Sequence, residues 1–314
     1  MAGAAIQDSD YKCSLSADVE DKAKKELKED PSTRLVEVKN LRTRVGKIPG
    51  LKTRTDLPFL LSFLRARKFD QERSYQLVKN HYEVRKDIEF FGDLKPSRIK
   101  HVIEDGVVEI LEHPDNNGCR VMVLRPARWD PDRYPMTDMP KAFYLLLCYL
   151  ARDEEAQVHG VHVINNLSDL TWKHASNINP SFAKKTLHIL QDVVPLRLKR
   201  LDYVNEPTFF DIIFSIMKQF MKEKLVKRIH FNGEKRDMLH ASISPDFLPT
   251  DLGGKLAPYS NKKFMDAFLA SDSSFEEDNK FGFLNMSLDK DQKEKKNADA
   301  GMAGLGGMFR KLDI

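Results

Sequence analysis

The residues whose types and spacing could do chemistry are concentrated between positions 195 and 236. This stretch holds ten lysines and arginines against five acidic residues, a net charge of +5, while the whole chain nets only +4. The cations stand before and after an apolar segment at 209–221. Oily side chains between two groups of cations suit a protein that handles an apolar ligand at an anionic membrane surface.

The apolar segment itself predicts a helix over 207–225, because Pro207 suits a first helical turn. Its apolar residues recur at helical spacing and form one wide face, made of Phe209, Phe210, Ile213, Ile216, Met217, Phe220 and Met221. Such a face usually packs on a protein core. The adaptable Phe and Met side chains also suit a helix that covers a cavity or dips into a bilayer. Both interpretations remain open at this point.

Other reactive residues do not form a recognisable catalytic pattern. The chain has no Walker A loop, nucleophile elbow or HExxH motif. His159 and His162 lie three apart in a predicted strand, so they point to opposite faces and do not share a metal ion. Neither a catalytic residue nor a metal or other cofactor is therefore expected. The only three cysteines, Cys13, Cys119 and Cys148, favour reduced thiols over disulfides.

Composition sets the class of protein. With 314 residues, 41% hydrophobic and 31% charged, the chain predicts a globular protein with a sizeable core. No uncharged apolar run is long enough to span a bilayer, and the first ten residues do not resemble a signal peptide. These observations predict a cytoplasmic protein.

The elements that must position the cations alternate between strands and helices. Strands are predicted at 118–125, 159–164, 196–204 and 228–231, and helices at 137–152, 180–193 and 209–225. This alternation predicts an α/β fold with a largely parallel sheet. We expect four regions: a disordered segment at 1–16, a helical region at 17–94, the α/β domain at 95–258, and a flexible, polar, Gly-rich tail at 259–314.

Several ordered motifs resemble the CRAL-TRIO lipid-binding family. They are FLRARKFD at 63–70, WDP at 129–131, INPSFAKK at 178–185, VNEP at 204–207 and LPTDLGG at 248–254. The similarity extends over roughly residues 45–260. Within the family, it is greatest to the subgroup of tocopherol transfer proteins, retinaldehyde-binding proteins and clavesins.

The resemblance implies a mostly parallel sheet with flanking helices that enclose an apolar cavity, preceded by a small helical region. It implies a mobile gate helix at 208–221, with Phe209, Phe210, Ile213, Met217 and Met221 as its apolar residues. A basic cleft for phosphatidylinositol bisphosphates is implied at Arg197, Lys199, Lys218, Lys224 and Arg228. The implied ligand pocket comprises Phe143, Tyr144, Leu147, Val161, Asn165, Leu170, Phe182, Thr186, Ile189, Leu190, Val194, Leu196, Leu198 and Leu201.

Some pocket positions differ from the tocopherol-binding pattern. Phe143 and Leu147 stand where that pattern has small polar residues, and Leu170 replaces a tryptophan. Tyr144, Asn165 and the neighbouring Asn166 are candidates for a polar contact with the ligand, or for ordinary structural roles.

The function that follows is binding and intermembrane transfer of a tocopherol- or retinoid-like lipid by a protein that is not an enzyme. Phosphoinositides would recruit it reversibly to endosomal or plasma membranes and open the gate helix. Its expected partners are the lipid, the phosphoinositides and the membrane surface, with no nucleic acid. The alternative is a phosphoinositide-binding trafficking adaptor whose lipid pocket is vestigial or regulatory.

Overall fold

The structure, a computed structural model, describes residues 8, 11–87 and 91–284. Its amino-terminal part is helical, as predicted. The elements are α1 (Ala17–Leu27), α2 (Arg34–Val45), the short strand β1 (Leu51–Lys52), α3 (Leu57–Ala66) and α4 (Gln71–Glu83). The carboxylate of Asp56 accepts a hydrogen bond from the Phe59 amide and so caps α3, whose first turn contains Pro58. Helices α2, α3 and α4 enclose a small core of their own.

A five-stranded sheet forms the centre of the described α/β domain. Its strands, in spatial order, are β2 (Val108–Ile110), β3 (Arg120–Leu124), β4 (Val161–Asn166), β5 (Leu198–Val204) and β6 (Ile229–Phe231). Strands β3 to β6 run parallel, whereas β2 is antiparallel to β3. The predicted α/β class and its largely parallel sheet are confirmed. The short edge strand β2 was not predicted, because three residues carry too little pattern.

Helices cover the sheet on both faces. They are α5 (Lys100–Glu104), α6 (Asp138–Leu150), α7 (Glu154–His159), α8 (Trp172–Ala175), α9 (Pro180–Asp192), α10 (Phe210–Lys218), α11 (Glu223–Val226) and α12 (Asp237–Ser242). Alternate side chains of β3 enter different cores: Met122 joins the main core, and Val121 and Val123 join a smaller one on the opposite face. None of the helices in the described part of the chain is long and apolar enough to cross a membrane.

The segment after residue 258 is ordered as far as residue 284, contrary to the prediction of a flexible tail. It forms α13 (Lys262–Leu269), α14 (Asp272–Asn279) and β7 (Gly282–Phe283), which pairs antiparallel with β1. Phe268 and Phe275 are buried in the main core. Apolar burial, which favours folding by about 25 cal/mol per Å², therefore fixes this polar-looking segment. The rest of the predicted tail, 285–314, lies outside the described residues.

The predicted disordered segment 1–16 also differs in its described part. The Ser14 amide donates to Glu154 on α7 at 2.7 Å, and the Tyr11 hydroxyl donates to the same carboxylate. Leu15 packs with Leu27 and Val158. Residues 1–7, 9 and 10 lie outside the described part.

A buried ionic cluster joins the amino-terminal helices to the α/β domain. The Arg65 guanidinium, at the end of α3, donates to both carboxylate oxygens of Glu29 at 2.8 Å. It also donates to Glu154 at 3.0 Å and to the side-chain oxygen of Gln157 at 2.8 Å. Arg65 and Glu29 are almost completely buried. We call these four residues the Arg65 cluster.

His159 and His162, the two histidines considered as metal ligands in the sequence, contact different structural partners. His162 is buried on β4 between Asp115, at 3.2 Å, and Asp202, at 2.6 Å. His159 contacts the Lys22 ammonium and the Asn117 carbonyl. The structural interpretation of both histidines therefore holds.

Candidate functional site

A cleft of about 360 Å³ lies where the amino-terminal helices meet the beginning of β5. Its walls come from α3, α4, the end of α9, the segment that enters β5, and α11. Its charged lining consists of eight cations, Arg67, Lys68, Arg73, Arg197, Lys199, Lys222, Lys224 and Arg228, and one carboxylate, Asp192. We call this the basic cleft.

The structure brings together four of the five cations that were predicted to converge. Arg197, Lys199, Lys224 and Arg228 all line the basic cleft. Lys218 does not line it; this residue is exposed at the end of α10. Lys222, only four residues further along, takes a place in the cleft that the sequence did not assign to it.

The predicted helix over 207–225 is in fact two helices, α10 and α11. The break at 219–222 is held by Gln191 of α9, whose side-chain amide donates to the Phe220 carbonyl at 3.0 Å. The side-chain oxygen of Gln191 accepts from the Lys222 amide at 2.8 Å. One side chain thus satisfies two backbone groups that a helix end leaves open. The break turns Lys222 toward Asp192, 2.5 Å away.

Two more cations of the cleft, Arg67 and Lys68, come from the turn between α3 and α4, and a third, Arg73, comes from the first turn of α4. Lys68 and Phe69 have φ angles of 56° and 57°, a left-handed turn that ends α3 abruptly. The Arg67 guanidinium donates to the Gln191 carbonyl at 2.8 Å and so ties this turn to α9. The cationic FLRARKFD motif was visible in the sequence, but nothing local to it indicates a neighbour more than a hundred residues away.

The charges of the basic cleft are poorly compensated. Among the described residues, Lys68, Arg73, Lys224 and Arg228 have no carboxylate within 4.0 Å of their charged nitrogens. Burial lowers the pKa of Lys224, and the neighbouring guanidinium of Arg228 lowers it further. Burial likewise lowers the pKa of Arg228. A lowered pKa means that the charged form of the side chain is disfavoured. A bound anion would stabilise that charged form.

One carboxylate from the amino-terminal helices reaches the edge of this cluster. Glu26, at the end of α1, lies 2.9 Å from the Lys199 ammonium and 3.5 Å from the Arg197 guanidinium. Burial acts to raise the pKa of Glu26, but the hydrogen bond from Lys199 and the two positive charges hold it below its usual value. An incoming anion would have to compete with Glu26 for these two cations.

The predicted lipid-pocket residues lie in the main core between the sheet and helices α6 and α9. The apolar ones belong to one continuous cluster, comprising Phe143, Tyr144, Leu147, Val161, Leu170, Phe182, Ile189, Leu190, Val194, Leu196, Leu198 and Leu201. Within the cluster is a cavity of about 10 Å³, room for about one water molecule. Six predicted residues line it, Leu147, Val161, Leu190, Val194, Leu196 and Leu198, together with Val163, which the prediction missed.

The polar pocket candidates have different surroundings. Tyr144, also on α6, lines a different cleft from Leu147 and is not among the residues that line the small apolar cavity. Asn166 is engaged at the end of β4, where its amide donates to Asp251 at 3.0 Å and its oxygen accepts from Asn205 at 2.8 Å. Asn165 is half-buried. The hydroxyl of Thr186 is buried on α9 without a hydrogen bond to any described residue.

The predicted gate helix, α10, rests on the main core by one face. Phe210 and Ile213 are buried, while Met217 and Met221 pack partly buried against the same core. Phe209, just before the helix, stacks on Trp172 with ring centroids 4.5 Å apart. Ile212 is exposed. The helix therefore covers the apolar core with a thin layer of bulky side chains, and its outer face meets solvent.

A chain with this sheet, this apolar core and this preceding helical unit can now be compared with known proteins. The profile of the CRAL/TRIO domain matches residues 104–254. The chain belongs to the CRAL/TRIO family, whose members bind and transfer lipids.

Among curated relatives, the human protein named alpha-tocopherol transfer protein-like is 41% identical over 267 residues, which cover 84% of this chain and 78% of the relative. Rat Clavesin-1 is 34% identical over 268 residues, 84% of this chain and 76% of the relative. The crystal structure of Sfh5 covers 84% of this chain with 12% identity and a TM-score of 0.46, a likeness too low to add to the assignment. The resemblance to the tocopherol transfer and clavesin subgroup is confirmed.

Proposed function

We propose that this protein carries a small hydrophobic ligand between membranes and docks on phosphoinositides through the basic cleft. The observation that supports docking is the accumulation of eight cations around one carboxylate in a single cleft. Four of these cations have no carboxylate partner among the described residues. A bisphosphorylated inositol headgroup carries several negative charges and strong acceptor oxygens, which match lysine and arginine donors.

Coupling between docking and the predicted gate would run through the segment that follows α10. Lys222 lines the basic cleft and lies four residues after the last residue of α10, and Gln191 holds the intervening turn. A headgroup that binds Lys222 and Lys224 would draw this segment toward the phosphates and away from Gln191. If that arrangement suits an outward position of α10, phosphoinositide binding shifts the population toward the open state.

The hydrophobic ligand would lie between α9, α10 and the sheet, where the small cavity marks the centre of an apolar shell. Room for a tocopherol- or retinoid-like molecule would come from an outward movement of α10, whose contact with the core is one side chain thick. No bond is made or broken in this function, and no cofactor takes part. The protein would act from the cytoplasm, at endosomal or plasma membranes.

Reversal of the two uncompensated cations on and beside α11 tests the docking proposal. Each cation near an anionic surface contributes on the order of 1 kcal/mol. The double variant Lys224→Glu/Arg228→Glu should therefore bind vesicles containing phosphatidylinositol bisphosphate at least about thirtyfold more weakly. Cosedimentation with such vesicles measures the change, and a fluorescent-tocopherol transfer assay should lose rate in parallel.

The matched control is the double variant Lys235→Glu/Lys262→Glu, since both lysines are exposed and neither lines the basic cleft. It should change vesicle binding far less than Lys224→Glu/Arg228→Glu. Equal losses would show that general charge attraction, not the basic cleft, recruits the protein. Circular dichroism spectra should confirm that both variants are folded.

The alternative function, a trafficking adaptor on the same fold, is favoured by the volume of only about 10 Å³ inside the apolar cluster. Native mass spectrometry of the purified protein and of its organic extract separates the two functions. A stoichiometric hydrophobic ligand supports transfer. A protein without extractable ligand that still binds phosphoinositide vesicles supports the adaptor.

A further inference from the structure

A second cleft, of about 530 Å³, is lined by the beginning of α3 and the end of α4, whereas the basic cleft is lined by the other ends of these helices. The walls of the second cleft come from α3, α4, α6 and α14. The lining is rich in rings: Phe59, His81, Tyr82, Tyr144, Phe275 and Phe281. We call it the aromatic cleft. Its volume falls in the range of small-molecule binding sites, about 300–1,000 Å³.

The aromatic cleft is separate from the basic cleft and from the apolar cavity, because it shares no lining residue with either. Helix α6 forms the partition. Tyr144 and Cys148, one turn apart, face the aromatic cleft, whereas Leu147 faces the apolar cavity. Residues four apart on a helix share a face. A molecule bound beside Tyr144 would thus lie outside the pocket proposed for the transferred lipid.

Two polar groups of the lining are left available for a ligand. The Tyr144 hydroxyl is buried and has no nitrogen or oxygen partner among the described residues; its neighbour is the Cys148 thiol, which is a weak hydrogen-bonding group. The Nδ1 atom of His81 lies 3.3 Å from the Val193 carbonyl, which can only accept. Nδ1 therefore carries the proton of a neutral ring, and Nε2 is left as an acceptor.

His81 is held in this neutral form by its environment. Burial, aided by the positive charge of Arg85, lowers the pKa of His81 to about 3. The His81 and Tyr144 rings lie side by side, with centroids 6.1 Å apart. His81, with Nε2 as an acceptor, and Tyr144, with its hydroxyl as a donor, thus both line the aromatic cleft. A ligand hydroxyl can donate to Nε2 of His81 and accept from the Tyr144 hydroxyl.

The charged residues of the lining do not favour an anionic ligand, because each arginine is already engaged. Arg54 is 2.6 Å from one oxygen of Asp278, and Arg152 is 3.1 Å from the other. Arg85 donates to the Asp278 carbonyl and, at 3.0 Å, to the side chain of Asn279. Two of the three arginines thus share the carboxylate of Asp278, and the third is held by two neutral acceptors.

We propose that the aromatic cleft is a second binding site, for a neutral and mostly apolar molecule that carries a hydroxyl group. The aromatic walls hold the apolar part. The ligand hydroxyl donates to Nε2 of His81 and accepts from the Tyr144 hydroxyl. Because the site is formed jointly by α3, α4, α6 and α14, its occupant bridges the amino-terminal helices and the lipid-binding domain.

Calorimetric titration of the full chain with two matched probes, 4-butylphenol and butylbenzene, tests this site. In the unaltered protein, 4-butylphenol should bind more tightly, because only it carries a hydroxyl. Tyr144→Phe removes one hydroxyl group without changing the ring. It should weaken 4-butylphenol binding about fivefold, the usual size of one hydrogen bond, and leave butylbenzene unchanged.

Leu147→Phe is the control, because Leu147 lines the apolar cavity and not the aromatic cleft, and it should alter the affinity for neither probe. Cys148→Phe, which fills the aromatic cleft, should abolish the binding of both. Unchanged 4-butylphenol affinity in Tyr144→Phe would overturn the proposal. So would a loss of binding in Leu147→Phe, which would place the probe in the transfer pocket. Should Tyr144→Phe fail to fold, equal affinity of the unaltered protein for the two probes would overturn the proposal on its own.

Discussion

The basic cleft and the aromatic cleft are both lined by α3 and α4, toward opposite ends of these helices, and both contain several arginines. In the basic cleft, eight cations share one lining carboxylate. In the aromatic cleft, three arginines accompany Glu277 and Asp278; Arg54 and Arg152 pair with Asp278, and Arg85 donates to neutral groups. The two clefts therefore differ in the ratio of cations to carboxylates, not in the presence of arginine. A large excess of neighbouring positive charges favours an anion, since like charges repel one another until an anion arrives.

The largest effect should come from breaking the feature that both clefts share, the docking of α3 on the α/β domain. Arg65→Met removes the cation of the Arg65 cluster and leaves the buried Glu29 with Arg34, 2.7 Å away, as its remaining cationic partner. Loss of one partner from a buried ion pair typically costs about 3–5 kcal/mol, and the remaining pair with Arg34 should hold the cost to the lower end of that range. Urea unfolding should show this loss of stability, and binding at both clefts should weaken together.

The matched control is Arg44→Met, because the Arg44–Glu72 pair is exposed and such pairs contribute about 0–1 kcal/mol. A similar loss in both variants would mean that the Arg65 cluster does not hold the helices in place. A loss at only one cleft would show that the clefts are independent.

A smaller effect should show whether a carboxylate that pairs with cations of the basic cleft weakens the binding of anions there. Glu26→Gln removes the carboxylate that reaches Lys199 and Arg197. Since this carboxylate competes with the phosphates, vesicle affinity should rise by up to about fivefold, the value of a partly exposed ion pair. Probe binding in the aromatic cleft should stay the same.

Glu234→Gln changes the net charge equally, and Glu234 is exposed outside the basic cleft. An equal gain in this control would assign the effect to net charge and not to release of Lys199 and Arg197. Flotation of both variants with the same vesicles, at low and high salt, gives the comparison.

The smallest effect is the pH dependence, which should differ in kind between the clefts. The pKa of Lys224 is lowered, so as pH rises through the alkaline range its charge, and with it part of the vesicle affinity, is lost before that of other lysines. Bound phosphate favours the charged form and is itself fully ionised in this range. Lys224→Arg should flatten the profile, because a guanidinium stays charged.

In the aromatic cleft, His81 has a pKa of about 3 and is therefore neutral over the whole pH range of the binding measurements. Binding of 4-butylphenol should therefore be constant from about pH 5 to about pH 9, below the range in which the probe's own phenol ionises. A titration near pH 6.5 would contradict the neutral state of His81 on which the second site depends.

The strongly periodic elements could be predicted from the sequence, and the contacts between distant segments could not. Residues 180–193 and the strands around Val163 and Leu201 carry their own pattern, so α9, β4 and β5 were foreseen. The break after Lys218 depends on Gln191, a side chain on another helix, and no local signal reports it. The resemblance to the family assigned Lys218 to the cleft, and no signal in the sequence indicated that the break would bring Lys222 there instead.

The same reasoning explains the half of the basic cleft that was missed. Arg67 and Lys68 belong to the FLRARKFD motif and Arg73 follows it, and only the fold brings the three close to the beginning of β5. The aromatic cleft was not predicted for a related reason. Phe275 and Phe281 belong to a segment whose composition indicates a flexible tail. Burial in a core contributed by other elements outweighs such local composition.

The pairing of β1 with β7 joins Leu51 to Phe283 and Lys52 to Gly282. Its consequence is that the chain forms a closed loop of more than two hundred residues, with the lipid-binding domain enclosed between its two ends. A fragment cut at the matched domain limits, 104–254, would lose this clasp, most of the aromatic cleft lining and three of the eight cations of the basic cleft at once. We therefore expect the smallest functional unit to be larger than the CRAL/TRIO domain itself.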